Sequence, residues 1–200
     1  RMITEDTDVL ESLIAGVNIV ELDPEDTSVG YGGLPDAWGR LTLDSCCMHG
    51  PLKRAGGVAA LQGVRTPSNV AKAVADLTDH HLLVDKGAQD FARQMGFSIE
   101  EDLNTERSRQ RYLEWRRRID PSHYPDPNRQ AQLTPEAYKQ FAIESITVAE
   151  DMATEGLIDP EHLYGTINCN GVNSNGDVCG VTTTSGLAWK IPGRVGDSPI

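Results

Sequence analysis

Residues 166–184 read TINCNGVNSNGDVCGVTTT, and this stretch indicates which fold class the chain adopts. The runs 166–172 and 177–184 are rich in β-branched and alternating residues, which is typical of strands. Between them, residues 173–176 end on Asn175-Gly176, a dipeptide that favours the tight turn of a β-hairpin. The stretch therefore predicts a two-stranded hairpin that begins near Thr166.

The residues before this hairpin alternate between helical and strand-like patterns. Apolar side chains recur at helical spacing from about Asp8 to Glu21. Four further stretches also predict helices: 66–77, 85–95 (with Asp85 as the expected cap), 100–118 and 135–155. Short apolar or alternating runs predict four more strands: 40–48, 56–61, 81–84 and 186–191. Elements of both kinds in alternation indicate a fold with layers of helix and sheet.

Size and charge limit the class of protein. The chain has 200 residues, enough for one sizeable hydrophobic core and too few for two comfortable domains. Its formal net charge of −12 argues against nucleic acid as a partner, because phosphate binding requires a basic surface. No apolar run approaches the ~18 residues that a membrane span needs. We therefore expect one globular domain that binds neither nucleic acid nor membrane.

The cysteines and histidines do not predict a metal site. No Cys/His spacing suits zinc, and the five histidines form no cluster in the sequence. Cys46 and Cys47 are interpreted as small buried hydrophobic residues. Cys169 and Cys179 flank the predicted hairpin turn, where either a disulfide or two free thiols would fit.

Arg194 and Asp197 lie three residues apart in a glycine-flanked loop at 192–199. A guanidinium and a carboxylate so placed could hold the α-carboxylate and the α-ammonium group of a free amino acid. The alternative is that the two side chains pair with each other in a surface loop. Spacing alone does not decide between these readings.

Several motifs together resemble the glycosylasparaginase and plant-type asparaginase family of N-terminal-nucleophile hydrolases. The start of that family's β-subunit resembles three runs: 165–167 (GTI), 183–186 (TTSG) and 193–200 (GRVGDSPI). Its α-subunit resembles 28–36 (SVGYGGLPD), 42–44 (TLD) and parts of 56–97. The resemblance covers nearly the whole chain and is weakest over 100–163.

The resemblance implies an α+β fold, a four-layer αββα sandwich of the N-terminal-nucleophile hydrolase type that is incomplete in this chain. It also implies a precursor that cleaves itself before a threonine. Residues 1–165 would belong to the α-subunit, with a variable linker at about 119–163, and residues 166–200 would begin the β-subunit of the same domain. Thr166 stands at the cleavage position, and its Oγ would attack the carbonyl group of Gly165. The alternative reading of Thr166 is an ordinary strand threonine.

Cleavage makes chemical sense because it gives the nucleophile its own base. A free α-amine has an ordinary pKa of about 8 and can accept the hydroxyl proton of the same threonine. Thr166 would then attack the side-chain amide of an asparagine to give a β-aspartyl enzyme, which water resolves. This chemistry requires no metal and no cofactor.

The resemblance also assigns other residues of the site. Arg194 and Asp197 match the family's substrate-holding pair, and Gly196 lies in the same substrate-binding loop. Thr184 matches a threonine that packs against the nucleophile and supports it. Ser28 matches a serine that reaches the site from the α-subunit, with a loop cap as its alternative reading.

The sequence departs from the family's pattern at two pairs of residues. Residues 164–165 are Tyr-Gly where many glycosylasparaginases have His-Asp, and residues 168–169 are Asn-Cys where the family usually has Gly. A substrate-contacting tryptophan strand would lie before Arg1, and the Thr-Gly pair of the oxyanion hole would lie after Ile200. We therefore expect this chain to be a fragment.

Three functions are compatible with the motifs. Residues 23–33 (DPEDTSVGYGG) favour an N4-(β-N-acetylglucosaminyl)-L-asparaginase, which hydrolyses the amide between asparagine and N-acetylglucosamine. Gly165 favours the alternative of an isoaspartyl peptidase or L-asparaginase that acts on β-aspartyl substrates. The unusual pairs 164–165 and 168–169 favour a third, an unprocessed family member that only binds. The family further implies a dimer of processed α/β heterodimers and a periplasmic, secreted or lysosomal location, with the cytoplasm as the alternative.

Overall fold

The structure is a computed structural model that describes residues 7–129, 133–160, 163 and 165–200, and every structural statement below refers to these residues. They form five helices and five strands, whose bounds are as follows: α1 Val9–Glu21, β1 Leu43–His49, β2 Arg54–Leu61, α2 Pro67–Leu77, β3 Leu82–Val84, α3 Asp85–Gln94, α4 Glu106–Arg118, α5 Pro135–Thr154, β4 Ile167–Val172 and β5 Val178–Thr184.

The five strands form one mixed sheet in the order β3-β2-β1-β5-β4. Only β2 and β3 are parallel, and the other neighbours are antiparallel. The hairpin of β4 and β5 lies beside β1, with Thr182 opposite Cys46. The hairpin predicted from Asn175-Gly176 is confirmed, and it places Thr166 at the edge of the sheet, directly before β4.

One face of the sheet is covered by helices α1, α2 and α3. Their apolar side chains form a buried core with side chains of β1, β2 and β5, among them Leu10, Val58, Val74 and Val181. The opposite face of the described sheet carries exposed apolar residues such as Met48, which is 58% exposed. One sheet covered by one layer of helices agrees with the α+β sandwich expected from the sequence.

A second apolar cluster lies around two stacked tryptophans. The rings of Trp115 in α4 and Trp189 have centroids 5.2 Å apart and planes inclined by 19°. Phe141 and Met152 of α5 pack into the same cluster. The helix predicted at 135–155 is confirmed as α5, and it has a buried face. The segment 119–163 therefore contains an ordered helix. Because Trp189 is packed in this cluster, the backbone of the next residue, Lys190, is held in place as well.

Most predicted elements are confirmed, with three corrections. Residues 186–191 were predicted as a strand but form a turn, in which Trp189 has a φ of 56° and its N–H donates to the Pro35 carbonyl oxygen. Helix α4 begins at Glu106 rather than at residue 100, because Thr105 caps it through Ser108 N. Asp85 does not cap α3; it is the first residue of that helix.

The structure also decides between the two alternatives left open for the cysteines. All four are free thiols. In the hairpin register Cys169 pairs with Val181 and Cys179 pairs with Gly171, so the two cysteines are not opposite each other and a disulfide does not form. Within the described ranges, no helix combines the length and the apolar character needed to cross a membrane.

Candidate active site

The hairpin brings the two threonines of the predicted site to one level of the sheet. Ile167, the first residue of β4, pairs with Thr183 of β5. Thr166 precedes Ile167 and Thr184 follows Thr183, so the antiparallel register puts Thr166 beside Thr184. Since side chains alternate across a strand, Thr184 points away from the helix-covered face on which Thr183 is buried.

Thr166 lies in a cavity of about 230 Å³ that is built almost entirely from the end of the chain. The residues that line it are Gly165, Thr166, Thr184, Gly186, Leu187, Arg194, Gly196, Asp197 and Ser198. Every site residue predicted from the sequence is therefore among the lining residues except Ser28. Gly186, Leu187 and Ser198 were not predicted to be part of the site, although each is next to or within a quoted motif.

The side chain of Thr184 contacts the peptide bond that precedes Thr166. Its Oγ1 donates a hydrogen bond to the Gly165 carbonyl oxygen at 2.6 Å. The same Oγ1 accepts a hydrogen bond from the N–H of Gly186 at 2.8 Å. With its acceptor position occupied by an amide, the hydroxyl proton is directed at the carbonyl group. Thr184 is thus positioned to stabilise negative charge on that oxygen.

Ser28 lies against Gly165 rather than in the cavity. A Cβ atom added to Gly165 would be 1.8 Å from the Cβ of Ser28 and 2.0 Å from its Oγ, so no other residue fits without a shift. Ser28 Oγ donates to Asp26 Oδ1 at 2.8 Å, which is the loop-capping contact that the sequence left as the alternative. The Ser28 carbonyl oxygen also accepts from the N–H and the hydroxyl of Ser185. Ser28 therefore links the glycine-rich loop to the segment after β5.

Arg194 and Asp197 both line the cavity, and among the described residues neither has an ion-pair partner. The surface ion pair that spacing alone allowed does not form. The guanidinium of Arg194 lies over Gly196, where an added Cβ would be 2.9 Å from Nη1, and near Gly186. Both charges remain available to a ligand in the cavity, which is the arrangement that binding of an amino-acid backbone requires.

Lys190 is a buried charge next to the cavity that the sequence did not predict. Its side chain is 3% exposed, and Nζ donates to the carbonyl oxygens of Ser185 at 3.0 Å and Thr42 at 3.2 Å. Burial lowers the pKa of the ammonium group, and the negative charge of buried Asp44 opposes this effect. No local pattern reveals Lys190, because its contact with Thr42 spans 148 residues.

Glu21, at the end of α1, is a buried carboxylate on the other side of the same strand. Its Oε1 accepts from Thr183 Oγ1 at 2.7 Å, and its Oε2 accepts from Ser68 Oγ at 2.8 Å and Asn18 Nδ2 at 2.6 Å. Burial raises the pKa of this carboxyl group, and the hydrogen bonds only partly oppose the rise. Thr183 is therefore a hydrogen-bonding anchor for the strand that carries Thr184.

No group of three His, Cys, Asp or Glu side chains that could hold a metal ion occurs in the described part of the chain. The chemistry open to the cavity is that of its hydroxyl groups, its two opposite charges and the peptide bond between residues 165 and 166. The cavity therefore combines a peptide bond next to two threonines with an arginine and an aspartate that have no ion-pair partner among the described residues.

A profile of the family described as Asparaginase matches residues 1–200. The chain belongs to this asparaginase family. The expectation drawn from the quoted motifs is thereby confirmed, and the α+β architecture described above is the one that this family implies.

Curated relatives within the asparaginase family support the same grouping. The chain is 35% identical over 200 residues to an N(4)-(β-N-acetylglucosaminyl)-L-asparaginase of Elizabethkingia miricola. The aligned region covers 100% of this chain and 48% of the relative. The chain is 34% identical over 196 residues to the mouse protein of the same name, with 96% of this chain and 54% of the relative covered. A putative protein of that name from Drosophila persimilis is 35% identical over 192 residues, covering 94% and 49%. The chain spans about half the length of these relatives.

Proposed function

We propose that the protein containing this chain cleaves itself between Gly165 and Thr166 and then hydrolyses the side-chain amide of glycosylated asparagine. The observation that carries the proposal is the 2.6 Å hydrogen bond from Thr184 Oγ1 to the Gly165 carbonyl oxygen, at the wall of a cavity lined by Arg194 and Asp197. The names of the relatives, which are N(4)-(β-N-acetylglucosaminyl)-L-asparaginases, support the substrate class.

The self-cleavage step is an N-to-O acyl shift. Thr166 Oγ forms a bond to the carbonyl carbon of Gly165, the C–N bond breaks, and the hydroxyl proton ends on the nitrogen of Thr166. While the carbonyl carbon is tetrahedral its oxygen carries negative charge, and the hydroxyl group of Thr184 donates to that oxygen. Water then hydrolyses the ester, which leaves a carboxylate on Gly165 and restores the Thr166 hydroxyl with a free amine beside it.

The released amine supplies the base for the second reaction. It accepts the proton of Thr166 Oγ as this oxygen attacks the substrate's side-chain amide carbonyl, and the proton passes to the leaving amine. Arg194 binds the α-carboxylate of the substrate and Asp197 its α-ammonium group, with Gly196 allowing close approach of the loop. Thr184 and Ser28 both contact Gly165, the residue that precedes the nucleophile. Water resolves the β-aspartyl enzyme, and no cofactor takes part.

The proposal divides the chain at the cleaved bond within one N-terminal-nucleophile hydrolase domain. Residues 1–165 belong to the α-subunit, including a variable segment at about 119–163, and residues 166–200 begin the β-subunit. We further propose that the processed heterodimer pairs with a second copy, as the resemblance to the family implies.

Substrate release assays test the proposed activity. The purified, processed protein is incubated with N4-(β-N-acetylglucosaminyl)-L-asparagine and, separately, with β-aspartyl dipeptides. We expect release of N-acetylglucosaminylamine in the first assay at a kcat/KM at least about 10-fold above that for the dipeptides, because one favourable contact already gives such a ratio. Cleavage of the dipeptides alone would instead establish the isoaspartyl peptidase. A protein that stays uncut would support the non-catalytic alternative.

A further inference from the structure

A chain of hydrogen bonds connects the buried ammonium group of Lys190 with the carbonyl group of the scissile bond. Lys190 Nζ donates to the Ser185 carbonyl oxygen at 3.0 Å. The N–H at the other end of that peptide group belongs to Gly186 and donates to Thr184 Oγ1 at 2.8 Å. Thr184 Oγ1 in turn donates to the Gly165 carbonyl oxygen at 2.6 Å. All three bonds run in the same direction, from the cation to the scissile carbonyl.

The shared direction matters because each bond polarises the next. A cation bound to a peptide oxygen withdraws electron density from the peptide group and makes its N–H a stronger donor. The Gly186 N–H then draws density from Thr184 Oγ1, whose own proton becomes a stronger donor to Gly165. The effect is largest where water is excluded, and both Lys190 and Thr184 are buried, at 3% and 2% exposed.

The surroundings hold Lys190 in this position. A second carbonyl oxygen, that of Thr42, accepts from Nζ at 3.2 Å. Burial lowers the pKa of the ammonium group, and the negative charge of Asp44 opposes that lowering. The ammonium group lies so close to Gly186 that a Cβ added there would be 2.8 Å from Nζ. Trp189, stacked on Trp115, fixes the backbone next to it.

We propose that Lys190 is a positioning residue for the self-cleavage, acting through the Ser185–Gly186 peptide group on the hydroxyl of Thr184. As Thr166 attacks, the polarised hydroxyl stabilises the charge that develops on the Gly165 oxygen. This inference rests on the proposed function, because it concerns the same bond, but it assigns a role to a residue outside the cavity.

A double-mutant cycle tests the inference on the full-length precursor. The appearance of the two fragments is followed with time for the unsubstituted protein, Lys190→Met, Thr184→Val and the double variant. Thr184→Val is expected to slow cleavage about 100-fold, as loss of one oxyanion donor does. Lys190→Met is expected to slow it about 10-fold. In the Thr184→Val background the Lys190→Met substitution should add less than about 2-fold, because its route is already removed.

Two results would overturn the role of Lys190: cleavage of Lys190→Met at the unsubstituted rate, or a slowing that multiplies in full in the Thr184→Val background. If the unsubstituted precursor never cleaves, the proposed function itself is contradicted and the inference with it. Thermal unfolding of each variant monitors folding. Lys72→Met serves as the control, because Lys72 bonds Asp76 within α2. We expect this variant to cleave at the unsubstituted rate.

A second pair of variants keeps the test decisive if Lys190→Met does not fold. Lys190→Gln retains a donor without charge, and Lys190→Arg retains the charge. Cleavage should be slower in Lys190→Gln than in Lys190→Arg, because polarisation of the peptide group depends on the cation. Equal rates in the two folded variants would overturn the inference.

Discussion

Gly165 shows how one missing side chain fixes the geometry of the scissile bond. Ser28 occupies the space where any Cβ at position 165 would lie, with 1.8 Å between the two Cβ positions. Any side chain at position 165 would therefore force Ser28 or the Gly165 backbone, whose carbonyl accepts from Thr184, to shift. Position 165 is glycine here, where many members of the family have Asp, and Ser28 occupies the space that a side chain at this position would need.

Substitution of Gly165 by Ala should slow self-cleavage about 10-fold or more, because the backbone must shift away from the Thr184 hydroxyl, and small misplacements cost large rate factors. The slowing should be smaller when Ser28 is also replaced by Gly. Rates come from the fraction of cut chains on a denaturing gel with time. Gly87→Ala is the control, because an added Cβ there meets nothing within 4 Å. Equal slowing with and without Ser28 would contradict the steric explanation.

Arg194 and Asp197 provide a prediction about substrate binding. Arg194→Lys loses the bidentate fork and Asp197→Asn loses the charge, so each should raise KM by about 10- to 100-fold. Self-cleavage should remain, since neither side chain contacts the scissile peptide. Arg93→Lys on the exposed side of α3, where Arg93 bonds Asp90, is the control. An unchanged KM for both variants would show that the substrate binds elsewhere.

At the residue scale, the sequence identified those site residues that lie in contiguous motifs. Thr166, Thr184, Arg194 and Asp197 all come from the last 35 residues of the chain. The hairpin brings Thr166 beside Thr184, and the loop that follows places Arg194 and Asp197 at the same cavity. Lys190 was missed because a single lysine carries no local signal, and only burial against distant backbone reveals it.

At the scale of elements, Glu21 ties three of them together. It ends α1, bonds Ser68 in the first turn of α2 and bonds Thr183 at the end of β5. The contact with Thr183 spans 162 residues, so the helical pattern around Glu21 could not predict it. The periodicity identified the helix, but the partner of its last residue depends on the tertiary fold.

Replacing Glu21 by Ala should destabilise the protein by about 3 kcal/mol, because several buried donors lose their acceptor. The free energy of unfolding from urea titration measures this change. Glu101, which is exposed, is the matched control, and Glu101→Ala should change it by less than about 0.5 kcal/mol. A loss below about 1 kcal/mol for Glu21→Ala would contradict the anchoring role.

The same carboxyl group makes a prediction about pH. Its pKa is raised in the folded state above an ordinary value of 4.5. A raised folded pKa means that the group stabilises the fold below the unfolded pKa and that this contribution is lost as pH rises through the folded pKa. The free energy of unfolding of the native protein minus that of Glu21→Gln should therefore decrease as pH rises above about 4.5. An increase over that range would show that the carboxylate is the favoured form.

The predicted strand at 186–191 shows where element prediction fails. Its alternating apolar residues fit a strand, yet Trp189 adopts a positive φ and inserts between α4 and α5. The gain from burying and stacking a tryptophan outweighs the local preference for extended backbone. That gain depends on Trp115, 74 residues earlier in the chain, and no local window contains both residues.

At the scale of the whole molecule, helices α1, α2 and α3 cover only one face of the sheet. Exposed apolar side chains on the other face include Met48 and Val178, each 58% exposed. The relatives are about twice as long as the chain. The four-layer sandwich that the resemblance implies has a second sheet, which would pack on such a face. The sequence predicted this architecture through resemblance, since periodicity alone indicates only layers of helix and sheet.

Met48→Lys in the full-length protein should therefore cost about 2 kcal/mol of unfolding free energy, because the second sheet would bury the new charge. Leu113→Lys is the matched control, since Leu113 is also 58% exposed but lies on α4, outside the sheet. Thermal or urea unfolding compares the two. Similar small effects at both positions would show that the open face stays in water.

The position of the cleavage site is the most direct test of the proposed self-cleavage before Thr166. The full-length protein is purified, its fragments are separated on a denaturing gel, and the N-terminal sequence of the downstream fragment is determined. We predict that this fragment begins Thr166-Ile167-Asn168 and that Thr166→Ala leaves one uncut chain. A different N-terminus, or two fragments in the Thr166→Ala variant, would contradict it.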